Sequence, residues 1–218
     1  MWKAYVNKKR QGERRPSDFY ETPICLTEEL LKTGELDDVH TVLEPCCGMY
    51  AMSKVLENAG KVVLSRDLIY GNNFLIDEYK EQSFDAVVTN PPFSLWDEGI
   101  TKAKTIGRKV VAIGKPNFFG AHSRYVSGIW NELKCVYIFT RQVDYQFPIQ
   151  DDGSIGVGNL ITGFFVWEHG YKGDPSVRLI DINDYCKLGS YEAYVKKNGQ
   201  PDHQIINKAR AAGINIKE

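Results

Sequence analysis

The chain of 218 residues reads as an α/β protein built on a mostly parallel sheet with an antiparallel hairpin edge. Three observations predict this class. Apolar, β-rich runs alternate with helix-like stretches from Thr41 onward, the pattern of parallel strands joined by crossover helices. Two later runs have no long helix between them and suit a hairpin. Two of the early strands stop at loops marked by proline or glycine, Pro45 to Gly48 and Pro91-Pro92, where an open α/β sheet places its ligand crevice.

The elements follow in order. Thr41-Val42-Leu43-Glu44 is a strand, residues 51–59 a helix, and residues 61–67 a second strand. Residues 84–89 form a buried strand, 95–106 a helix, and 109–114 another strand. The hairpin runs are residues 135–140 and 160–167, separated by a stretch with Pro148, Asp151-Asp152-Gly153 and Gly156-Val157-Gly158 that reads as a loop. Residues beyond about 178 alternate weakly, and the last twenty suit a short helix and tail. We divide the chain into a basic arm at 1–17, one domain at 18–178 and an extension at 179–218.

With 43% hydrophobic residues, the chain can bury one substantial core but is short for two. A net charge of −1 and a pI near 6.4 exclude a protein that coats DNA through its overall charge. Charge is local instead: Lys3, Lys8, Lys9, Arg10, Arg14 and Arg15 face only Glu13 in the first fifteen residues, which suits either a solvated terminus or a contact to phosphates. Five cysteines without a CxxC pair fit a reducing interior, and the adjacent Cys46-Cys47 lack metal-ligand spacing, so no structural zinc is expected. The chain has no apolar run of membrane-spanning length and does not open on a secretory signal, so we expect a cytoplasmic protein without a membrane partner.

The chemistry concentrates at Asn90-Pro91-Pro92-Phe93, directly after the strand at 84–89. Two prolines remove backbone donors and fix φ, which holds a side-chain amide, a free carbonyl and an aromatic ring in a set arrangement. The Asn90 side-chain oxygen and the Pro91 carbonyl can accept both hydrogens of an exocyclic NH2 while Phe93 stacks on its ring. Upstream, Glu44-Pro45-Cys46-Cys47-Gly48 ends the first strand. Its glycine permits close backbone approach, and Glu44 can accept from an ammonium group or orient the loop. Asp67, about twenty residues on, stands where an acidic side chain accepts ribose hydroxyls. Neither GxGxxG nor GxxxxGK[ST] occurs.

In this order and spacing, these residues resemble the S-adenosylmethionine-dependent N6-adenine DNA methyltransferases of phage and restriction-modification systems. Asp18-Phe19-Tyr20-Glu21-Thr22-Pro23 is similar to the family's amino-terminal Tyr-x-Thr-Pro element, and Gly163-Phe164-Phe165-Val166-Trp167-Glu168 to its late hairpin strand. The resemblance spans residues 18–170 and implies a Rossmann-like class I methyltransferase sheet. It implies S-adenosylmethionine as cofactor, held by Tyr20, Thr22, Pro23, Glu44, Pro45, Cys46, Gly48, Asp67, Asn73 and Phe74. It implies catalysis by Asn90, Pro91, Pro92 and Phe93, with no metal, on double-stranded DNA whose target adenine is flipped out. Two positions depart from the family pattern: Tyr50 stands where a second glycine is usual, and Asn73 replaces an aspartate before Phe74.

The same loop also serves guanine N2 in RNA and glutamine side chains in proteins within related families, and a binding protein that retains only the fold is a third reading. Cys46 and Cys47 read as buried thiols, not nucleophiles. Tyr145 and Phe147 suit either a second wall of a base pocket or anchors for their loop. Lys115, Arg124 and Arg141 suit either phosphate contacts or a solvated surface.

Overall fold

The computed structural model describes residues 22–143, 145, 158 and 160–182. The basic arm, Tyr20 and Phe147 lie outside them. The described part forms seven strands: β1 (Thr41–Glu44), β2 (Val62–Ser65), β3 (Phe84–Thr89), β4 (Gly107–Gly114), β5 (Leu133–Phe139), β6 (Gly163–Glu168) and β7 (Ser176–Ile180). Four helices accompany them: α1 (Ile24–Lys32), α2 (Ala51–Asn58), α3 (Trp96–Ile106) and α4 (His122–Ser127). No helix among the described residues is long and apolar enough to cross a membrane.

Every strand belongs to one sheet, in the order β2-β1-β3-β4-β6-β5-β7. β1 pairs in parallel with β2 and β3, and β3 in parallel with β4, while β6 runs antiparallel to both β4 and β5. The expected antiparallel pair is present, but it does not form the edge. β7 pairs in parallel with β5 and takes the outermost place. It runs through the boundary drawn at residue 178, a strand that weak alternation alone did not reveal.

Side chains alternate across the sheet with the two-residue period of a strand. Val42, Ala86, Val88, Val111, Ile113, Phe164 and Val166 face one core, built with Leu26, Leu30, Met52 and Leu56 of α1 and α2. Leu43, Val87, Val110, Ala112, Phe165 and Trp167 face the other, with Trp96, Ile100 and Ala103 of α3. The continuous apolar runs seen in the sequence follow from this burial on both faces. Gly163 is required where β6 meets β5, because a Cβ there would stand 2.2 Å from the Tyr137 carbonyl oxygen.

The amino end of the sheet is fastened by charges. Asp85 accepts from the backbone N–H groups of His40 (3.0 Å) and Thr41 (2.8 Å) and pairs with Arg108, and these bonds hold its carboxyl well below the usual range. Lys109 donates to the Glu35 carbonyl (2.6 Å) and to Asp38 (2.8 Å), while the buried Glu35 carboxylate accepts from Lys134 (3.0 Å) and Tyr137 (2.9 Å). The opposite, carboxyl end carries the candidate site. Cys46, Cys47 and Cys135 are free thiols.

Candidate active site

From β1 the chain passes out to β2 and returns on the other side of β1 as β3, so the winding direction reverses between β1 and β3. A crevice opens at such a reversal because the two crossovers leave on opposite sides. The loops after β1 and β3 both start there, and the segment after β2 lies one strand away.

Glu44 ends β1 and is buried at 2% exposure. Ser65 of β2 meets Ser53 of α2 (Oγ to Oγ, 2.5 Å), and Ser53 bonds to Glu44 Oε2, a chain that ties two strands and a helix together. Burial, reinforced by the nearby Asp67, pushes the Glu44 carboxyl up to about 8. The Glu44 side chain thus contacts α2 through Ser53.

The ladder continues beyond the strand ends. Arg66 N–H donates to the Glu44 carbonyl (2.8 Å) and Cys47 N–H to the Arg66 carbonyl (2.9 Å). Gly48 follows with φ +50°, and its N–H donates to Asp67 Oδ2 at 2.8 Å. Asp67 Oδ1 accepts from Ile69 N–H at 3.0 Å and so caps a single 3₁₀ turn at Leu68–Tyr70. Burial raises the Asp67 carboxyl above its ordinary range. Each carboxylate oxygen has a second lone pair to offer, so these bonds leave Asp67 able to accept hydroxyls.

Tyr50 takes φ +66° and ψ 16°, the left-handed conformation that a glycine adopts freely, and stands as the N-cap of α2. That conformation costs a non-glycine residue about 1 kcal/mol. A stack on Tyr70, with centroids 5.3 Å apart and planes at 22°, offsets a similar amount. Tyr70 also donates its hydroxyl to the Gly48 carbonyl at 2.8 Å. Tyr50 thus adopts at this position a backbone conformation that is also open to glycine. The Cys46 and Cys47 thiols are raised by burial and by neighbouring carboxylates, Cys46 to about 12, which leaves both protonated and poor nucleophiles.

On the β3 side, Thr89 is buried at the strand end, and Asn90 emerges from it with Pro91 buried and Pro92 at φ −52°, ψ 126°. A 3₁₀ turn at Phe93–Leu95 then leads into α3, whose first turn carries Asp97 and Glu98. Asn90 Nδ2–H donates to Thr22 Oγ1 at 3.1 Å. Phe93 is half-buried, meets Phe118 edge to face at 5.9 Å, and has the Lys115 ammonium 4.4 Å from its ring centroid.

The structure thus brings Thr22, Glu44, Gly48, Asp67 and Asn90 to the carboxyl ends of β1, β2 and β3. Pro23 precedes α1 and accepts from Leu26 N–H at its first turn (3.0 Å). Asn73 and Phe74 follow the 3₁₀ turn: Asn73 Oδ1 accepts from Leu75 N–H (3.1 Å), and Phe74 packs on Tyr79 in the second core. Tyr145 is buried, and its hydroxyl bonds to that of Thr162 (2.9 Å). Arg124 pairs with Asp97 (2.6 Å) and lies over Phe118 (4.2 Å), a structural placement. Sequence reasoning missed Ser53, Ser65 and Tyr70. None carries a motif, and only their contacts reveal them: Ser53 with Glu44, Ser65 with Ser53, and Tyr70 with Gly48.

No protein-family model matches the chain, and no curated protein matches it in sequence. Solved structures do. A modification subunit of a putative type I restriction enzyme from Vibrio vulnificus aligns at TM-score 0.49 and 11% identity over 92% of this chain and 53% of its own. A putative class I S-adenosylmethionine-dependent methyltransferase from Listeria monocytogenes aligns at TM-score 0.46 and 13% identity, covering 80% of this chain and 68% of that one. A putative RNA methyltransferase from Pyrococcus horikoshii aligns at TM-score 0.45 and 16% identity, covering 70% and 87%. Likenesses this distant assign no activity and no substrate. Strand order, the reversal between β1 and β3, and β6 as the one antiparallel strand among the described residues make this a Rossmann-like, mostly parallel α/β sheet.

Proposed function

We propose that the protein is an S-adenosylmethionine-dependent methyltransferase acting on the N6 amino group of a flipped adenine in double-stranded DNA. One observation carries this reading: Asn90-Pro91-Pro92-Phe93 leaves β3 beside the loop of Gly48, with Asp67 bonded to that loop. An NH2 clamp and a nucleoside-binding acid thus share one crevice.

The residues present suit the cofactor. Asp67 offers a carboxylate for ribose hydroxyls, Gly48 a backbone held at positive φ, and Leu68, at 61% exposure, an apolar surface beside them. Bound there, S-adenosylmethionine supplies an electrophilic sulfonium methyl group. Asn90 and the Pro91 carbonyl draw the two hydrogens of the target amine, which localises its lone pair on nitrogen and aims it. Phe93 holds the ring by stacking, worth roughly 1–3 kcal/mol per base. Extruding the base from its stack costs a few kcal/mol, a cost this stacking and hydrogen bonding offset.

The NH2 clamp recognises an amino group and not its owner, so guanine N2 of RNA and a protein glutamine remain the second reading. Tyr50 in the cofactor loop is the support for a non-enzymatic reading, and the intact Asn90-Pro91-Pro92-Phe93 speaks against it. The test is transfer of labelled methyl from S-adenosylmethionine to competing DNA, RNA and protein in one reaction. We expect N6-methyladenine in DNA. Label in RNA or protein alone would reassign the substrate, and label in none would end the reading.

A further inference from the structure

Thr22 belongs to an element that resemblance assigns to the cofactor, yet its side chain meets the clamp. Its Oγ1 accepts from Asn90 Nδ2–H at 3.1 Å across 68 residues of sequence. Both partners are held by their surroundings. Thr22 is 7% exposed and precedes Pro23 and the buried Ile24, Cys25 and Leu26 of α1, while Asn90 extends directly from the buried end of β3. The two elements share one core, which holds Cys25, Leu26 and Leu30 of α1 together with Ala86 and Val88 of β3, so this hydrogen bond is set by the fold and not by local chain geometry.

An asparagine amide has two unlike ends, and rotating it by half a turn exchanges an acceptor for a donor. A clamp for NH2 requires the oxygen to face the target. With the nitrogen toward the target, two donors would oppose each other. Resting on the amino-methyl-transfer reading, we propose that Thr22 is a positioning residue for Asn90: it takes the amide nitrogen and so turns Oδ1 away from itself, toward the substrate. The role concerns the reacting amine and not the affinity for cofactor.

The two roles separate experimentally in the full-length protein. Thr22→Val and Thr22→Ala remove the acceptor, and Thr22→Ser keeps it. Each variant is measured for kcat and KM, for S-adenosylhomocysteine affinity by calorimetry, and for the Asn90 side-chain 15N amide signal, assigned against Asn90→Asp. Loss of one hydrogen bond should lower kcat about tenfold for Val and Ala while cofactor affinity stays within about twofold. The Asn90 amide signal should move and exchange faster, and Ser should restore both. Weakened S-adenosylhomocysteine binding with kcat unchanged at saturation would return Thr22 to the cofactor side and overturn the proposal, as would an unmoved Asn90 signal. If the wild-type protein transfers no methyl group, the functional reading fails, and the Asn90 signal alone still decides whether Thr22 orients the amide.

Discussion

The loop after β3 and the loop after β1 lie side by side at the carboxyl edge, but they are stiffened by different means. Asn90-Pro91-Pro92-Phe93 carries its rigidity in the chain itself, since proline fixes φ wherever it occurs. The Glu44 to Tyr50 loop has one proline and one glycine, and is held from outside: Ser53 on Glu44, Asp67 and Tyr70 on the two sides of Gly48, and a ring stack on Tyr50. A loop of the first kind can be recognised from four letters. One of the second kind shows its order only when its neighbours, up to 22 residues away, are in place.

Three substitutions probe this contrast, in order of expected effect. Asn90→Ala should reduce methyl transfer by about 100- to 1000-fold, the usual cost of removing one oriented hydrogen-bonding group from a reacting centre, with S-adenosylhomocysteine affinity unchanged by calorimetry. A parallel loss of affinity would mean that the two loops are one mechanical unit.

Glu44 provides the second test, through pH. Its carboxyl is raised to about 8 in the fold from an ordinary value of 4.5, so between those values the folded state holds more protons than the unfolded chain. Stability should therefore fall as pH rises from about 4.5 to 8, by on the order of a few kcal/mol from this group, and level off above. In Glu44→Gln, which keeps an acceptor for Ser53, denaturant midpoints should decline less across that window. An equal decline in both proteins would place the linkage elsewhere.

Tyr70→Phe is the mildest. It keeps the stack on Tyr50 and removes the hydroxyl that bonds to the Gly48 carbonyl and interacts with Tyr50, which should weaken cofactor binding about fivefold, near 1 kcal/mol, and speed amide exchange around Gly48. Unchanged exchange would show that Asp67 alone orders the loop.

Much of this was legible in the sequence. The strands at 41–44 and 84–89 fall where their apolar runs predict, because strands buried on both faces must be apolar throughout. β7 was not, since Val177 and Leu179 are exposed at 68% and 71% and its burial pattern has no strand signature. α1 likewise went unread as an element. Residues 24–32 carry no motif, and the burial of the helix depends on α2 and the sheet.

By itself the sequence determined the residues with intrinsic chemistry or intrinsic stiffness: the amide of Asn90, the two prolines, the carboxyl of Asp67 and the alternation of strand and helix. Covalent structure and local periodicity are properties of short segments, so they survive without the fold. Tertiary structure alone decided what each group touches. It put β7 outside the hairpin, turned Glu44 toward Ser53, let Tyr50 stand in for glycine by stacking on Tyr70, and joined Thr22 to Asn90. Those contacts depend on hydrogen-bonding directions and van der Waals distances between segments far apart in the chain, which no local pattern encodes.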